Sequence, residues 1–518
     1  MVVVDQTEAM DEELRSQTPP VPRFLPVRTR LAAWTRHPAR GRLAPGVVPA
    51  VLMLGLGLAG AGRPALSWDE ASTADIARRT PGQIWDLVHH VDAVIGPYYF
   101  LVHAWTRLAG TSETDLRLPS IVAMAAAVGL AGELGRRLFT PLIGLLAGLL
   151  LCLVPNSSRY AAEARPYAFT CLLSVLSLLL LLRALERPRR RRWIGYGVSV
   201  VLLGASHLIA LATLAAHAAV AASGRRRGRP PRAWVVTLGA CAVALLPVVW
   251  LGTRQRNEQL AWVDPLTPDT FLQAPGEIVG AANTAWLLIG LAVLARWRRA
   301  ERVRHVAVLA LAPPLAVAAV SLAWGPIWVA RYLLVVLAPL AILAAVAVVG
   351  TAGPDRRSGR RGAVLRVVGI VALLAVTAYP AHGRVRGTTA KKGPDYRGVA
   401  ALVARHQSPG DVIVYEARSR AMRAGMEYYL RRYPSRPRDV LERRPAAEVG
   451  RLRADEHPDA AGQVAGTGRV WLVVGGQTAD PTTGQPALQG LLRERYDRIG
   501  IWHRSAATVA LYRARPPG

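Results

Sequence analysis

The sequence predicts a polytopic α-helical membrane protein with about 11 to 13 transmembrane helices and a small C-terminal extracytoplasmic α/β domain. The first observation is composition, because 52% of the 518 residues are hydrophobic but only 6% are aromatic. The second is pattern, since Leu, Ala and Val form long runs instead of alternating with polar residues. The third is that these runs stop near residue 380, where shorter strand-like and helix-like segments begin.

The predicted spans are segments that approach the roughly 20 apolar residues needed to cross a bilayer. They are Val47–Ala65, Leu118–Leu138, Pro141–Pro155, Ala168–Leu185, Ile194–His207, Leu208–Ala222, Trp234–Leu251, Ile278–Ala295, Val306–Trp324, Tyr332–Gly350 and Val364–Tyr379. Pro97–Ala109 is also apolar, but it is short and carries His103 and Arg107. We predict that this segment is not a full span, which gives about eleven spans, with about thirteen as the alternative.

The formal net charge of +30 is concentrated in arginine clusters between apolar segments. These clusters are Arg187–Arg192, Arg225–Arg232, Arg296–Arg304 and Arg356–Arg361. Cytoplasmic loops of membrane proteins carry an excess of Lys and Arg, so the clusters are predicted to be cytoplasmic. A nucleic-acid partner is disfavoured, because it would need one continuous basic face. Residues 1–45 are polar and arginine-rich, and they are expected to be a cytoplasmic tail and not a cleaved signal.

This topology predicts which segments lie outside a plasma membrane that residues 46–380 cross. With the N-terminus and the Arg187–Arg192 loop inside, residues 66–96 and the loop Gly252–Glu277 fall on the outer face. Residues 381–518 also fall outside and are expected to form the α/β domain. Its predicted helix and its three predicted strands are Asp395–Gln407, Asp411–Tyr415, Val470–Gly475 and Thr508–Tyr512.

Three polar clusters lie on the predicted outer face, and the first directly follows the first span. Asp69 and Glu70 are adjacent carboxylates at the point where the chain leaves the membrane. Two acids at a membrane face are candidates for a functional site. They also suit a helix N-terminus, with Ser67 as the cap and both acids in the first turn. The motif alone is compatible with either interpretation.

Imidazole, carboxylate and phenol groups follow in the same outer segment and are candidates for substrate positioning. The positioning candidates are His90, Asp92, Tyr98 and Tyr99, and His89 lies next to them in the motif. A divalent metal ion is an open alternative for the histidines, although their spacing is not a standard zinc pattern. The two tyrosines equally suit an aromatic belt at the membrane interface.

Cysteine chemistry is not expected. Cys152, Cys171 and Cys241 all lie in apolar segments, where none is placed for a disulfide. The cysteines also show no paired spacing typical of a metal site. No cofactor is therefore indicated apart from the open question of a divalent metal ion.

The second and third clusters lie between later apolar runs. The second contains Glu163, Arg165 and Tyr167, and the third contains Arg331 and Tyr332 at the outer start of a span. Glu163 could simply pair with Arg165 in a loop, and Arg331 could extend to the phosphates of bulk lipid. Charged groups from distant parts of the chain on one membrane face favour a site instead. A planar guanidinium also matches the oxygens of a bound lipid phosphate.

In their order along the chain, these residues resemble the GT-C superfamily, in particular family 39-like bacterial relatives of protein O-mannosyltransferases and of the lipid A aminoarabinose transferase. The resemblance spans roughly residues 46–415 and implies a GT-C type of membrane fold. The motifs that carry it are Asp69-Glu70, Arg117-Leu118-Pro119-Ser120, Gly135-Arg136-Arg137-Leu138, Glu163-Ala164-Arg165-Pro166-Tyr167-Ala168, Ala330-Arg331-Tyr332-Leu333 and Asp395-Tyr396-Arg397.

The resemblance implies transfer of a sugar from a polyprenyl-phosphate donor to an envelope lipid, glycan or protein at the outer membrane face, with mannosyltransferase-like activity. Asp69 matches the acidic residue that deprotonates the acceptor hydroxyl in the family, and Glu70 would orient the acceptor or share this role. Arg331, Tyr332 and Arg165 would bind the donor phosphate. The residues left to position substrate are Glu163, Tyr167, His90, Asp92, Tyr98 and Tyr99.

The sequence differs from the family at one motif, and it leaves two other classes of function open. Many relatives carry His-Pro-Pro before the Tyr-Tyr pair, whereas this chain has Val94-Ile95-Gly96-Pro97, so donor or acceptor choice could differ. A lipid or sugar transporter shares the many spans, but it would need more charged or broken helices near the bilayer midplane. A non-enzymatic membrane scaffold would be favoured if Asp69 lay far from Glu163 and Arg331.

Overall fold

The structure is a computed structural model that describes residues 45–223, 230–296, 300–351 and 359–516, apart from positions 389, 392, 418 and 420. The predicted cytoplasmic tail therefore lies outside the described residues, except for position 45. Most of the arginine cluster Arg225–Arg232 and part of the cluster Arg356–Arg361 lie outside them as well.

The described chain begins with a helical part that extends to residue 386. Its first ten α-helices are α1 (Val47–Leu58), α2 (Trp68–Arg78), α3 (Pro81–His90), α4 (Gly96–Ala109), α5 (Glu113–Leu138), α6 (Pro141–Leu153), α7 (Pro155–Ala161), α8 (Tyr167–Glu186), α9 (Arg190–Ser206) and α10 (Thr213–Ser223). The next seven are α11 (Arg232–Arg254), α12 (Arg256–Gln259), α13 (Pro268–Val279), α14 (Ala282–Val293), α15 (Ala300–Trp324), α16 (Leu337–Thr351) and α17 (Gly359–Arg386). Short 3-10 helices cover Ala93–Ile95, Leu208–Ala212 and Ala330–Val336.

Each of the predicted spans coincides with helical structure, but the helices differ in length. Among the described residues, six helices are long and apolar enough to cross a membrane, or up to eight if each of two bent pairs counts as one span. The bent pairs are α6–α7, at 71°, and α13–α14, at 93°. Val47–Leu58 and Leu208–Ser223 are shorter apolar helices. Bends and short helices therefore replace several of the uniform spans that hydropathy predicts.

The two bends meet at Asn156. Pro155 begins α7 directly after α6, because proline lacks the N–H that would continue the α6 hydrogen bonds. The Asn156 amide donates to the carbonyls of Glu277 and Ile278 at 2.6 and 2.9 Å, which satisfies carbonyl groups at the end of α13. Gly280 follows at φ +93°, and a Cβ there would lie 2.7 Å from the Asn156 side-chain oxygen. Only glycine suits this close approach and this backbone conformation.

The short apolar segment at 97–109 forms α4, a helix of 14 residues that is not among the candidate spans. Its buried Tyr98, Tyr99 and Val102 belong to a hydrophobic core shared with Tyr396 and Met426 of the C-terminal part. Helices α2 and α4 therefore pack together beside the C-terminal part of the chain, as the demotion of 97–109 from a full span predicts.

The C-terminal part, which we call the sheet domain, comprises residues 396–514. Its helices are α18 (Tyr396–His406), α19 (Met422–Leu430), α20 (Ala460–Val464) and α21 (Pro486–Arg495). Its strands are β1 (Val412–Tyr415), β2 (Arg438–Asp439), β3 (Glu442–Arg444), β4 (Asp455–Glu456), β5 (Arg469–Gly475), β6 (Tyr496–Arg504) and β7 (Ala507–Ala514). The main sheet has the order β2-β1-β5-β7-β6, and β3 pairs separately with β4.

The sheet is parallel at one side and antiparallel at the other. Strand β1 pairs in parallel with β2 and β5, whereas β7 pairs antiparallel with both β5 and β6. The predicted helix and the three predicted strands are α18, β1, β5 and β7. Strand β6 was not predicted, because its sequence Tyr496–Arg504 is largely polar and exposed, as expected for an edge strand.

The sheet domain docks on the helical part through charged and phenolic side chains. Glu113, at the start of α5, is buried and pairs with Arg397 at 2.6 Å and with Arg432 at 2.8 Å. The Tyr429 hydroxyl accepts a hydrogen bond from the Leu66 backbone N–H at 3.0 Å. This docking brings the sheet domain against the segment that begins α2.

We expect Glu113→Gln to weaken this docking by about 1 to 3 kcal/mol, because a buried carboxylate that serves two guanidinium groups becomes neutral. Hydrogen exchange of α19 should accelerate in the variant, and its thermal unfolding should begin at lower temperature. The matched control is Arg515→Gln, which breaks an exposed pair with Asp497 and should change neither measurement. Unchanged exchange of α19 in Glu113→Gln would contradict the docking role.

Candidate active site

The loop after α1 leads into α2 through a capping box. The Ser67 hydroxyl accepts from the Glu70 backbone N–H at 3.2 Å, and the Glu70 carboxylate accepts from the Ser67 N–H at 3.0 Å. The helix N-terminus interpretation of this motif is therefore correct as local structure. It does not exclude a site, because Asp69 lies in the same first turn and remains partly exposed.

Glu70 is fully buried in a network of donors. The Nε and Nη2 atoms of Arg117 donate to its two oxygens at 2.8 and 2.9 Å, and Lys391 Nζ lies 2.6 Å from Oε1. The backbone N–H of Ala164 also donates to Oε1 at 2.9 Å. Burial by itself would raise the pKa of Glu70, but Arg117 and Lys391 outweigh it and hold the pKa well below its usual range. Glu70 is thus a permanently charged carboxylate whose oxygens are both occupied.

Asp69 faces a different set of groups from its neighbour. It interacts electrostatically with Arg165 and with Arg331, which come from the second and third predicted clusters. It also interacts electrostatically with the phenol groups of Tyr160 and Tyr167. The three clusters, which are far apart in sequence, therefore converge around this carboxylate. A non-enzymatic scaffold is disfavoured, because it was the interpretation that required Asp69 to lie far from the other clusters.

The loop between α7 and α8 carries Glu163 and Arg165, but their side chains do not form an ion pair with each other in the described structure. Glu163 is buried and lies 4.0 Å from Arg159, and the Arg165 backbone N–H donates to the Glu163 carbonyl at 2.8 Å. Burial raises the pKa of the Glu163 carboxyl. The pKa of Arg165 stays well above its ordinary value although burial opposes this, with Asp69 the strongest favourable influence. The Ser120 hydroxyl donates to the Arg165 carbonyl at 3.1 Å, which holds the loop.

Aromatic rings surround the Arg331 end of the site. The Arg331 guanidinium carbon lies 4.8 Å from the ring centroid of Trp262 and 5.6 Å from that of Tyr332. The Tyr332 ring stacks at 6.4 Å on Tyr167 and approaches His207 at 4.3 Å. These contacts hold one face of the guanidinium against aromatic surface. The arrangement combines a cation with a large apolar wall, which suits an anion attached to a hydrophobic chain.

Asp92 and Tyr99 form a further group of hydrogen-bonded polar side chains next to Arg165. The Tyr99 hydroxyl donates to Asp92 Oδ2 at 2.7 Å, and Arg165 Nη1 lies 3.5 Å from the same hydroxyl. Asp92 has φ +59°, and the Gln259 amide donates to its other oxygen at 3.3 Å. The neighbouring Tyr98 is buried and packs edge-on against Phe169 at 6.0 Å.

Comparisons with known proteins agree with this architecture. A family model described as dolichyl-phosphate-mannose-protein mannosyltransferase matches residues 97–250. Two crystal structures of ArnT from Cupriavidus metallidurans, each 15% identical in sequence, align with 90% of this chain and 97% of ArnT. The TM-score is 0.55 for ArnT bound to undecaprenyl phosphate and 0.58 for the apo state. No curated protein sequence matches the chain.

The chain therefore shares the fold of ArnT, and residues 97–250 match the mannosyltransferase family model. These findings support the resemblance to the GT-C superfamily seen in the sequence, and they confirm the predicted fold class of a helical membrane protein with a small C-terminal sheet domain. The family match covers Glu163 and Arg165 but neither Asp69 nor Arg331. The roles of individual residues therefore depend on the geometry of this chain.

The structure brings together most of the predicted site residues but leaves the histidine pair apart. His89 and His90 are exposed, and each Nδ1 donates to a backbone carbonyl of α3, at 2.7 and 2.9 Å. His90 also lies near Asp86 and beside Gly450 of the sheet domain. His90 therefore faces Asp86 and the sheet domain, and its positioning role stays a prediction.

Metal ligation has no structural support in the part of the chain that the structure describes. No group of three or more His, Cys, Asp and Glu side chains there has an arrangement that could hold a metal ion. The histidines that kept this alternative open bind backbone carbonyls instead.

Several residues of the site were not identified from the sequence. Arg117 was part of a recognised motif, but its ion pair with Glu70 spans 47 positions and leaves no local signal. Trp262 lies in the predicted outer loop, where a single tryptophan does not indicate a site. His207 was visible as a histidine in an apolar segment, and Lys391 looked like one of many basic residues near a membrane.

Proposed function

We propose that the protein transfers a sugar from a polyprenyl-phosphate donor to a hydroxyl group of an envelope acceptor at the outer face of the plasma membrane. The observation that carries the proposal is the convergence of Asp69 with Arg165 and Arg331 beside an aromatic wall. One carboxylate and two guanidiniums are what this reaction needs from a protein. The GT-C fold supports the same class of reaction.

In this mechanism Asp69 accepts the proton of the acceptor hydroxyl as its oxygen attacks the anomeric carbon of the donor. The bond between that carbon and the phosphate oxygen breaks, and the bonding electrons leave with the polyprenyl phosphate. Arg331 and Arg165 stabilise the negative charge of this leaving group. The aromatic rings of Tyr332, Tyr167 and Trp262 contact the sugar or the first prenyl units. The products are the glycosylated acceptor and polyprenyl phosphate.

The course of α8 supports the proposed orientation. It begins at Tyr167 in the site and ends at Glu186, directly before the arginine cluster Arg187–Arg192. Its 20 residues correspond to roughly 30 Å at the helical rise, close to the thickness of the hydrocarbon core. The site and the basic cluster therefore lie at opposite ends of α8, and with the basic cluster on the cytoplasmic side the positive-inside rule favours an outer position for the site.

The sugar and the acceptor are proposed by class. A mannosyltransferase-like activity is the specific proposal for the sugar, supported by the description of the matching family model. The acceptor is an envelope lipid, glycan or protein, because a site on the outer face meets these hydroxyl compounds. The undecaprenyl phosphate bound to ArnT supports a polyprenyl carrier for the donor.

The experiment is a transfer assay with purified protein in lipid nanodiscs. Polyprenyl-phosphate mannose and polyprenyl-phosphate arabinose, labelled in the sugar, are offered with lipid, glycan and protein fractions of a bacterial envelope. We expect label in one fraction and an equal amount of released polyprenyl phosphate. Intact donor after incubation with every fraction would contradict the proposal. Movement of intact donor across a vesicle membrane without cleavage would indicate a transporter instead.

A further inference from the structure

A short linker joins the last membrane helix to the sheet domain and crosses the candidate site. Helix α17 ends at Arg386, whose guanidinium donates to the Ser158 hydroxyl at 2.8 Å. At the other end of the linker, the Asp395 backbone N–H donates to the Ser505 carbonyl at 2.9 Å. Between these points Lys391 enters the protein interior, where its side chain is only 8% exposed.

Lys391 connects two separate parts of the site. Its ammonium donates to the Ala162 carbonyl at 2.7 Å, in the loop that carries Arg165, and lies 2.6 Å from Glu70 Oε1 on α2. Asp69, the residue adjacent to Glu70, belongs to the same helical turn. An ammonium with three donor hydrogens can bind both partners at once. Lys391 is therefore the described side chain of the linker that joins the turn of Asp69 to the loop of Arg165.

The backbone that follows Lys391 packs closely against the start of α2. Gly393 has φ +143°, and a Cβ there would lie 2.3 Å from Trp68 Cδ1. The linker therefore packs directly on the residue that precedes Asp69. Only glycine permits this approach, so the path of the linker over the start of α2 is a built feature of the fold.

We infer that Lys391 is a positioning residue for transfer, which holds Asp69 and Arg165 in the relative arrangement that the reaction needs. This inference rests on the proposed function. It makes the linker to the sheet domain part of the active site, although the sheet domain is separate from it in sequence. A change in how this domain docks would then alter the rate of transfer.

The electrostatic surroundings of Lys391 provide an independent readout. The groups that face it are Glu70 on α2, Arg117 on α5 and Glu163 in the loop after α7. Burial lowers the pKa of Lys391 to about 8, against the opposing effect of Glu70. The ammonium is charged below this pH and loses its proton as the pH rises through it. Transfer should therefore decrease on the alkaline side of about pH 8.

The test compares wild type, Lys391→Gln and Lys391→Arg in the nanodisc transfer assay, from neutral to alkaline pH. We expect Lys391→Gln to lower kcat about 10- to 100-fold, with little change in KM for the donor, because the reacting groups are misplaced while the donor contacts remain. Lys391→Arg should restore most of kcat and shift the alkaline decrease to higher pH, since a guanidinium stays charged.

Thermal unfolding of each variant separates this role from a loss of folding. Glu113→Gln is the matched control, because it weakens docking without touching Lys391, and its alkaline decrease should stay at the wild-type pH. If wild type transfers sugar and Lys391→Gln retains its kcat, or if Lys391→Arg has the wild-type pH profile, the inference is wrong. Absence of transfer by wild type would instead overturn the proposed function.

Discussion

Replacing Asp69 by Asn is expected to lower kcat for sugar transfer roughly 100- to 10,000-fold, the range that a general base contributes. The amide has nearly the same shape as the carboxylate but cannot accept the acceptor's proton. The fold should be retained, because Asp69 is partly exposed and the cap of α2 is made by Ser67 and Glu70. The measurement is single-turnover transfer with saturating donor, together with binding of the donor to the variant.

The matched control for this variant is Asp75→Asn on the same helix. Asp75 pairs with Arg79 at 2.7 Å and has no role in the proposed chemistry. It should retain wild-type kcat, whereas Asp69→Asn should bind donor and fail to turn it over. Near-normal transfer by Asp69→Asn would remove Asp69 as the base, and equal loss in both variants would indicate a structural effect of α2.

Replacing Arg331 by Met is expected to lower kcat/KM for the donor by roughly 30- to 5,000-fold, corresponding to about 2 to 5 kcal/mol for the loss of one partner of a hydrogen-bonded charge pair. The side chain keeps an apolar stem against Trp262 and Tyr332 but loses the guanidinium that meets the phosphate. Arg331→Lys should recover only part of the loss, because a point charge cannot form paired hydrogen bonds with phosphate oxygens. Inhibition by added polyprenyl phosphate should weaken in parallel.

Arg254→Met provides the control for the Arg331 variants. The Arg254 guanidinium stacks on Trp250 at 3.8 Å, so the substitution removes a similar cation from a tryptophan face without changing the proposed site. It should leave kcat/KM for the donor unchanged. Normal inhibition of Arg331→Met by polyprenyl phosphate would show that Arg331 does not bind the donor phosphate.

The predicted spans show which features of a membrane helix hydropathy can predict. Long apolar segments predict helices well, because an isolated strand or coil in a bilayer would leave its backbone hydrogen-bonding groups unsatisfied. They do not predict where a helix bends. The 93° bend between α13 and α14 depends on Asn156, which is more than one hundred positions away in sequence and binds the carbonyls at the end of α13.

Strand prediction in the sheet domain shows the same limit. Strands β1, β5 and β7 lie inside the sheet and are almost continuously buried, so their apolar sequences identify them. Strand β6 lies at the edge and pairs only with β7, so its outer side faces solvent. Its polar residues suit this exposed position, so the sequence has no apolar run that would predict the strand.

The sequence by itself predicted the helical membrane fold and placed Asp69 and Glu70 as adjacent acids in a helix-start motif. It could not determine which of the two is available for chemistry. Neighbouring residues on a helix point about 100° apart, so one can enter the core while the other stays at the surface. Only the tertiary structure decided that Glu70 is the buried one, because Arg117 and Lys391, both distant in sequence, meet it there. Asp69 is left facing Arg165 and Arg331.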